Sequence, residues 1–248
     1  MLARIFSLLF ILYFVVTSLV MSVLAVLIWL VTRPFDRNLR FLHLFSSFWS
    51  SLYVWGMPAW KITIEGKEKI DRSQAYMIVS NHQSMVDILA GFYLFVHFKW
   101  VAKAELFRAP FVGLVLWLNN HVKLNRTDRK STVEMMRASQ KHLESGNSVY
   151  IFPEGTRSKE VGVKPFKGGA FTMAKRTGRP ILPIALDGSR DALPKHSLVI
   201  RGRHHIKVNI LDPIPASIFE EHSTTEVGEL IRRQIAEEIG EPLIEEGD

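Results

Sequence analysis

The clearest fold signal of the chain and its most reactive side chains occur together in one stretch, Ala75-Tyr76-Met77-Ile78-Val79-Ser80-Asn81-His82-Gln83-Ser84-Met85-Val86-Asp87. Its apolar beginning predicts a buried strand over 75–80, and the apolar run that starts at Met85 predicts a helix over 85–95. His82 and Asp87, five positions apart, lie between these two segments. We therefore expect an imidazole and a carboxylate on the turn that leaves the end of a strand.

The spacing of this pair allows two interpretations. Side chains that share one face of a regular helix are three or four positions apart, so Asp87 would have to reach back from the first helical turn to His82 on the preceding turn. The carboxylate then accepts from one imidazole N–H and leaves the other ring nitrogen free as a base. Alternatively, Ser84 and Asp87 form a capping box, and His82 is an ordinary loop residue.

A second motif follows another apolar run, 149–152, and reads Pro153-Glu154-Gly155-Thr156-Arg157-Ser158. Gly155 lets backbone N–H groups approach a ligand closely, and Arg157 offers a planar fork that matches a phosphate group. The residues that follow add cations and a glycine pair at a helix start, namely Lys164, Lys167, Gly168 and Gly169. The pattern predicts an anion site, although solvated surface turns share this composition.

Strand and helix patterns alternate over the remainder of the chain. Strands are predicted over 60–65, 75–80, 98–102, 121–124, 148–152, 181–186, 197–201 and 205–211. Helices are predicted over 85–95, 111–118, 128–144, 169–177 and 224–239. This alternation predicts an α/β layered fold with a mostly parallel or mixed sheet flanked by helices. Ligands bind outside the carboxyl ends of strands in such sheets, so both motifs are expected to share one crevice.

The N-terminus differs in kind, because residues 5–31 contain no charged side chain. As a helix this segment would be about 40 Å long, enough to span a bilayer with tilt. Its length favours a retained membrane helix over a cleaved signal peptide. Three arginines follow it and predict a cytoplasmic flank under the positive-inside rule, namely Arg33, Arg37 and Arg40.

Residues 41–60 are rich in Phe and Trp and carry serines at helical spacing. The pattern favours a helix in the membrane interface, with a second short membrane pass or a helix packed on the globular domain as alternatives. We predict an N-terminal hydrophobic two-helix membrane motif, a hairpin over residues 1–60. The globular domain is then predicted over residues 61–248.

Composition narrows the function classes. The 248 residues are 48% hydrophobic and 22% charged, with a net charge of +7 and no cysteine. Cysteine-based zinc sites, disulfides and a thiolate nucleophile are therefore excluded. The positive charge favours an anionic partner, but no dense Lys/Arg block indicates nucleic acid. The P-loop, the G-x-S-x-G elbow and the G-x-G-x-x-G turn are all absent from the sequence.

Taken together, the motifs resemble the glycerolipid acyltransferases of the HxxxxD type, and most closely the bacterial 1-acyl-sn-glycerol-3-phosphate acyltransferases. Four blocks carry the resemblance in order: NHQSMVD at 81–87, KAEL at 103–106 with Pro110, Gly113, Asn125 and Arg126, FPEGTRS at 152–158, and ILPI at 181–184. Residues 166–170 also resemble the stretch that follows the third block. Asn125 departs from the pattern, since many members carry Asp there.

The resemblance implies acyl transfer from acyl-CoA or acyl carrier protein to the sn-2 hydroxyl of 1-acyl-glycerol 3-phosphate, giving phosphatidic acid for phospholipid synthesis. It implies His82 as the base and Asp87 as its orienting acid, with no cofactor and no metal. Glu154 would contact the glycerol or hold Arg157, and Pro183 would shape the acyl site. The acceptor phosphate would be bound by Lys103, Arg126, Gly155, Thr156, Arg157 and Lys167.

The same resemblance implies an enzyme of the bacterial inner membrane, with its catalytic domain (61–248) on the cytoplasmic face. Expected partners are lysophosphatidic acid, an acyl thioester, the anionic membrane surface and acyl carrier protein, but not nucleic acid. Two alternatives remain open. One is another acceptor, such as glycerol 3-phosphate, a lyso-ornithine lipid or another lysophospholipid. The other is a non-catalytic, membrane-tethered module that binds lipid or anions.

Overall fold

Alternating strands and helices follow the two N-terminal helices, as the sequence predicts. The computed structural model describes residues 2–157, 160–193 and 202–245, so the strand predicted over 197–201 lies outside the described residues. The strands are β1 (Trp60–Glu65), β2 (Met77–Ser80), β3 (Phe98–Lys103), β4 (Val122–Leu124), β5 (Ser148–Ile151), β6 (Ile181–Asp187) and β7 (His204–Ile210). The helices are α1 (Leu2–Thr32), α2 (Arg40–Trp55), α3 (Val86–Tyr93), α4 (Val112–Leu118), α5 (Arg129–Glu144), α6 (Gly169–Thr177) and α7 (Thr224–Ile239).

These strands form one mixed sheet in the order β1-β7-β6-β2-β5-β3-β4. β2 pairs in parallel with both β5 and β6, and β3 pairs in parallel with β5 and β4. β7 runs antiparallel to β6 and parallel to β1. The predicted α/β fold with a mixed sheet is confirmed. Because β2 and β5 are parallel neighbours, the two motifs that follow them leave the sheet at the same edge.

The sheet is buried on both faces, and its strands alternate between two apolar layers. In β2, Ile78 packs with α3 on one face, whereas Met77 and Val79 pack on the other. The layer around Ile78 is dominated by aromatic side chains, including Phe98, Trp100 and Tyr150. The opposite layer contains the inward residues of α5, α6 and α7. Such burial on both faces explains why β2 and β6 are nearly continuous apolar runs.

The two N-terminal helices pack against each other as a hairpin. The Tyr13 hydroxyl donates to the carbonyl of Leu52 at 3.1 Å, and the hydroxyls of Ser18 and Tyr53 lie 2.8 Å apart. α1 is long and apolar enough to cross a membrane, and most of its apolar side chains are exposed. These properties support membrane association of the N-terminus.

The polar face of α2 is its buried face. Ser46, Ser47, Ser50 and Ser51 are all buried, and a ring nitrogen of His43 hydrogen bonds with the carbonyl of Val96 at 2.9 Å. The exposed side of the helix is apolar and consists of Phe41, Leu44, Phe48 and Trp55. α2 therefore buries its serines together with Trp49 and Tyr53, and it presents a second apolar side outward.

A buried lysine fixes the connection between α1 and α2. Lys99 of β3 is 1% exposed, and its ammonium donates to the carbonyls of Asn38 and Asn119 at 2.8 and 2.9 Å. Burial lowers the pKa of Lys99 to about 7, and the nearby Asp36 carboxylate opposes this effect. The hairpin is thus tied to the same sheet that positions the motifs.

Gly91 allows α3, which carries Asp87, to lie close to the sheet. A Cβ atom at Gly91 would lie 2.6 Å from Cζ2 of Trp100, whose ring is buried among other aromatic rings. We expect Gly91→Ala to destabilise the protein by about 1–3 kcal/mol, because the core is overpacked and α3 must move outward. Thermal unfolding of the detergent-solubilised protein measures this effect.

Gly169→Ala is the matched control for this substitution. Gly169 begins α6, and a Cβ atom there meets nothing within 4 Å. Its melting temperature should stay at or slightly above that of the wild type, because Ala favours the helix. Equal melting temperatures for Gly91→Ala and Gly169→Ala would contradict the close packing of α3.

Candidate active site

The turn after β2 is anchored to the sheet by Asn81. Its amide nitrogen donates to the carbonyl of Leu186 at 2.8 Å, and its amide oxygen accepts from the N–H of the same residue at 2.8 Å. The side chain thus replaces a strand residue in pairing with β6. Because of this anchor, the chain leaves the sheet at His82.

His82 and Asp87 meet as the first interpretation of their spacing predicts. Nδ1 of His82 lies 2.8 Å from Oδ2 of Asp87, which is fully buried. With Nδ1–H donating to the carboxylate, Nε2 carries the lone pair of the neutral imidazole. Within the described residues, Nε2 has no hydrogen-bond partner. The ring can therefore accept a proton from a substrate.

The same carboxylate oxygen also holds the turn and the start of α3. Oδ2 of Asp87 accepts from the N–H groups of Gln83 and Ser84 at 2.7 and 2.8 Å. The capping box of the second interpretation is not formed: Asp87 accepts from the Ser84 N–H, but the Ser84 hydroxyl donates to the carbonyl of Leu193 at 3.0 Å. His82 is the partner of Asp87 and not an ordinary loop residue.

An aromatic stack supports the imidazole and joins the two motifs. The His82 ring lies 3.9 Å from the Phe152 ring at an interplanar angle of 12°, and Phe152 stacks on Trp100 at 5.3 Å. Phe152 directly follows β5, so the neighbouring strand supplies the surface under the base. No local sequence pattern indicates this contact, because it depends on the pairing of β2 with β5.

Glu154 has a different partner from the one expected. Its Oε1 accepts from the backbone N–H of His82 at 2.8 Å, and within the described residues its buried Oε2 has no partner. Burial raises the pKa of Glu154 to about 8, and the Asp87 charge adds to this effect, whereas Lys164 opposes it. Burial thus favours the uncharged form of Glu154, and its contact with the His82 N–H fixes the backbone of the base.

The turn after Glu154 presents cations. Gly155 has φ of 76°, and a Cβ atom there would lie 3.1 Å from the ammonium of Lys167. Thr156 is exposed and Arg157 is half-buried. No carboxylate of the described residues pairs with Arg157 or Lys167. Two charges at a glycine turn with no counter-ion in the described part of the chain are arranged to bind an anion.

Lys103 and Arg126 lie at the same sheet edge but farther from the base. Lys103 ends β3 and pairs with Leu124, two residues before Arg126. At about 4.8 Å per strand, β3 and β4 lie about 10 and 14 Å from β2. The Lys103 ammonium is 3.2 Å from a carboxylate oxygen of Glu105. β3 is the direct neighbour of β5, so Lys103 leaves the sheet next to the strand that precedes the Arg157 turn, and Arg126 extends the positive edge one strand farther.

Pro183 lies inside the sheet rather than at its edge. It is buried in β6 opposite Val79, and its carbonyl accepts from the N–H of Leu211 at 3.0 Å. Any effect of Pro183 on an acyl chain would act through sheet packing.

Among the described residues, no three His, Cys, Asp or Glu side chains are grouped to hold a metal ion.

The raised pKa of Glu154 predicts a pH-dependent stability. An unfolded glutamate loses its proton near pH 4.3, whereas folded Glu154 holds it up to about pH 8. Between these values the native state binds more protons, so its stability falls as pH rises. Glu154→Gln keeps the acceptor for the His82 N–H but cannot lose a proton. We expect the melting temperature of the variant minus that of the wild type to increase from pH 5 to pH 8, because the stability of the wild type falls over this range.

Glu237→Gln provides the control, because Glu237 is exposed on α7. Its melting temperature should differ from that of the wild type by the same small amount at every pH. A pH-independent difference for Glu154→Gln as well would rule out a protonated carboxyl at this position.

Comparisons with known proteins agree with this site. The acyltransferase family model matches residues 61–187, which contain both motifs. A chloroplastic 1-acyl-sn-glycerol-3-phosphate acyltransferase of Brassica napus is 37% identical over 185 residues, covering 74% of this chain and 53% of the relative. The 1-acyl-sn-glycerol-3-phosphate acyltransferase of Borreliella burgdorferi is 32% identical over 192 residues, and the match covers 76% of this chain and 74% of that relative. The chain spans about half the length of the plant relatives that it matches.

A solved structure extends the similarity to almost the whole chain. The crystal structure of the 1-acyl-sn-glycerophosphate acyltransferase PlsC from Thermotoga maritima has a TM-score of 0.73 and 26% sequence identity, and the match covers 95% of this chain and 97% of that one. The family predicted from the motifs is therefore confirmed: the chain belongs to the acyltransferase family.

Proposed function

We propose that the chain transfers an acyl group from an acyl thioester to the sn-2 hydroxyl of 1-acyl-glycerol 3-phosphate and forms phosphatidic acid. The observation that carries this proposal is the arrangement at one sheet edge. There the His82–Asp87 pair, with Nε2 unpaired among the described residues, follows β2, and the Arg157 turn follows the adjacent strand β5. The relatives that cover most of this chain bear names for this activity.

His82 is the general base in the proposed reaction. Nε2 takes the proton of the acceptor hydroxyl as its oxygen attacks the thioester carbonyl, and the C–S bond breaks when the tetrahedral intermediate collapses. The proton then passes to the leaving thiolate. Asp87, at 2.8 Å from Nδ1, stabilises the imidazolium between these steps. Each step uses the two substrates and side chains of this chain.

The acceptor phosphate is proposed to bind at the Arg157 turn. Arg157 and Lys167 lack carboxylate partners among the described residues, and the positive φ of Gly155 leaves the backbone of the turn open to a ligand. Thr156 adds an exposed hydroxyl. Lys103 and Arg126 extend the positive edge along the sheet, where they would attract either anionic substrate.

The membrane is the proposed source of the acceptor. The exposed apolar side of α1 and the outward aromatic side of α2 would lie in the bilayer, and the net charge of +7 favours an anionic lipid surface. The arginines after α1 favour the cytoplasmic face of a bacterial inner membrane. The acyl donor, acyl-CoA or acyl carrier protein, is proposed to approach from the aqueous side.

Replacing the base tests the proposed chemistry. We expect His82→Ala to lower kcat by about 10²- to 10⁴-fold, the usual contribution of a positioned general base. The melting temperature should change little, because Oδ2 of Asp87 keeps its two backbone N–H donors. Thiol release from acyl-CoA in mixed micelles with lysophosphatidic acid measures the rate.

His222→Ala is the control, because His222 is exposed on the loop before α7. It should retain wild-type activity. Full activity of His82→Ala would contradict the assignment of His82 as the general base. Wild-type turnover on glycerol 3-phosphate or a lyso-ornithine lipid in preference to lysophosphatidic acid would redirect the proposal to that acceptor.

Replacing the arginine tests the phosphate site. Arg157→Lys keeps the charge but loses the bidentate fork, so we expect KM for lysophosphatidic acid to rise about tenfold, equivalent to about 1.4 kcal/mol. KM for acyl-CoA should change less than twofold. Arg233→Lys, on the exposed side of α7, is the control and should change neither constant. An equal rise in both KM values for Arg157→Lys would argue against a phosphate clamp.

A further inference from the structure

The last described residues form a segment that lies against the loop following the Arg157 turn. This C-terminal segment, residues 241–244, pairs with Val163: the Val163 N–H donates to the carbonyl of Pro242, and the Ile244 N–H donates to the carbonyl of Val163, both at 3.0 Å. Gly162 has φ of 136°, and a Cβ atom there would lie 2.7 Å from the carbonyl oxygen of Pro242. The loop and the C-terminal segment are therefore in close backbone contact.

Glu241 places a carboxylate at the centre of this contact. Oε1 accepts from the side-chain amide of Gln83 at 3.0 Å and from Nη2 of Arg190 at 2.9 Å. Oε2 accepts from the same Arg190 nitrogen at 2.7 Å and from the N–H of Gly162 at 2.9 Å. Only 13% of the Glu241 side chain and 19% of the Arg190 side chain are exposed. A buried pair is stable when its remaining hydrogen-bonding positions are filled in this way.

These contacts reach both halves of the site. Gln83 follows His82 in the chain, and its backbone N–H donates to the Asp87 oxygen that orients the imidazole. Arg190 also donates to the carbonyl of Glu160, in the segment between Arg157 and Gly162. One carboxylate from the end of the chain thus connects the turn of the base to the loop of the proposed phosphate site.

We propose that Glu241 is a positioning residue for acyl transfer, acting through Gln83 and Gly162 to fix the base relative to the bound phosphate. The inference rests on the proposed function. Its physical basis is that a base displaced from the hydroxyl of a clamped acceptor loses rate even when both groups remain intact. No other part of the mechanism uses Glu241, Arg190 or the Gln83 side chain.

Gln83→Leu tests the link between Glu241 and the turn of the base, and it also removes the acceptor of the Ser189 hydroxyl at 3.4 Å. It removes the amide that reaches Glu241 but keeps the backbone N–H to Asp87, the Arg190 pair and the Gly162 contact. We expect kcat to fall about tenfold while KM for both substrates changes less than twofold, because only the position of the base is loosened. The melting temperature should remain within a few degrees of the wild type. Gln83→Glu places a second negative charge next to the Glu241 carboxylate, and this repulsion should lower kcat further.

Glu241→Gln tests the link to the loop as well. An amide cannot accept from all the donors around Glu241, so the N–H of Gly162 or the Arg190 guanidinium loses its partner. We expect the loss of kcat seen with Gln83→Leu, together with a several-fold rise in KM for lysophosphatidic acid and an unchanged KM for acyl-CoA. The double variant should lose no more kcat than Glu241→Gln alone, because both changes break one connection. Glu237→Gln is the matched control and should be unaffected.

The outcomes separate the inference from the proposed function. Wild-type kinetics in Gln83→Leu, or multiplicative losses in the double variant, would overturn the positioning role while leaving acyl transfer intact. A rise in both KM values that follows the melting temperature would also overturn it, since that pattern reports a structural defect. If Glu241→Gln does not fold, the two Gln83 variants decide the question. An inactive wild type would overturn both proposals.

Discussion

The structure of the site depends on one carboxylate oxygen. Oδ2 of Asp87 is buried and accepts three hydrogen bonds, from the imidazole of His82 and from the N–H groups of Gln83 and Ser84. Burying a carboxylate is unfavourable unless it is hydrogen-bonded, and the buried Oδ1 of Asp87 has no partner among the described residues. The three bonds to Oδ2 therefore carry the compensation, and the turn must adopt the conformation that directs these donors inward. The energetic requirement of a buried charge therefore sets both the backbone of the turn and the orientation of the ring. Replacing Asp87 with a residue that has no carboxylate would disturb all three hydrogen bonds at once.

The sheet supplies the second constraint, because it brings together residues that are distant in sequence. The parallel register pairs Val79 with Ile151, so the residues that follow these strands emerge side by side. Phe152 consequently stacks on the imidazole, and Glu154 accepts from the backbone N–H of the same histidine. Phe152 thus supports the imidazole ring of the base, and Glu154 supports its backbone. The cations of that motif lie farther along the same turn and remain available to a ligand.

The sequence was informative where local chemistry decides the structure and uninformative where pairing between strands decides it. Alternating and apolar runs predicted the described strands and helices of the globular part to within a few residues, because burial on one or both faces leaves a period in the sequence. The strand predicted over 197–201 stays a prediction. The His82–Asp87 contact followed from the spacing of the two residues. The partners of Glu154 and the stacking of Phe152 require the register of β2 against β5, which no local pattern contains. The buried serines of α2 agree with the alternative of a helix packed on the globular domain, whereas the Phe and Trp content had favoured a helix in the membrane interface.

The charge state of the site follows from these contacts. Two ionised carboxylates beside one imidazole would repel an incoming phosphate as well as each other. Burial instead raises the pKa of Glu154 to about 8, which favours the uncharged form of this acceptor for the His82 N–H. The Asp87 carboxylate is fully buried against Nδ1 of the ring, and the nearby Glu241 carboxylate pairs with Arg190. Arg157 and Lys167, in contrast, have no carboxylate partner among the described residues, so their positive charge is available to an anionic alcohol substrate.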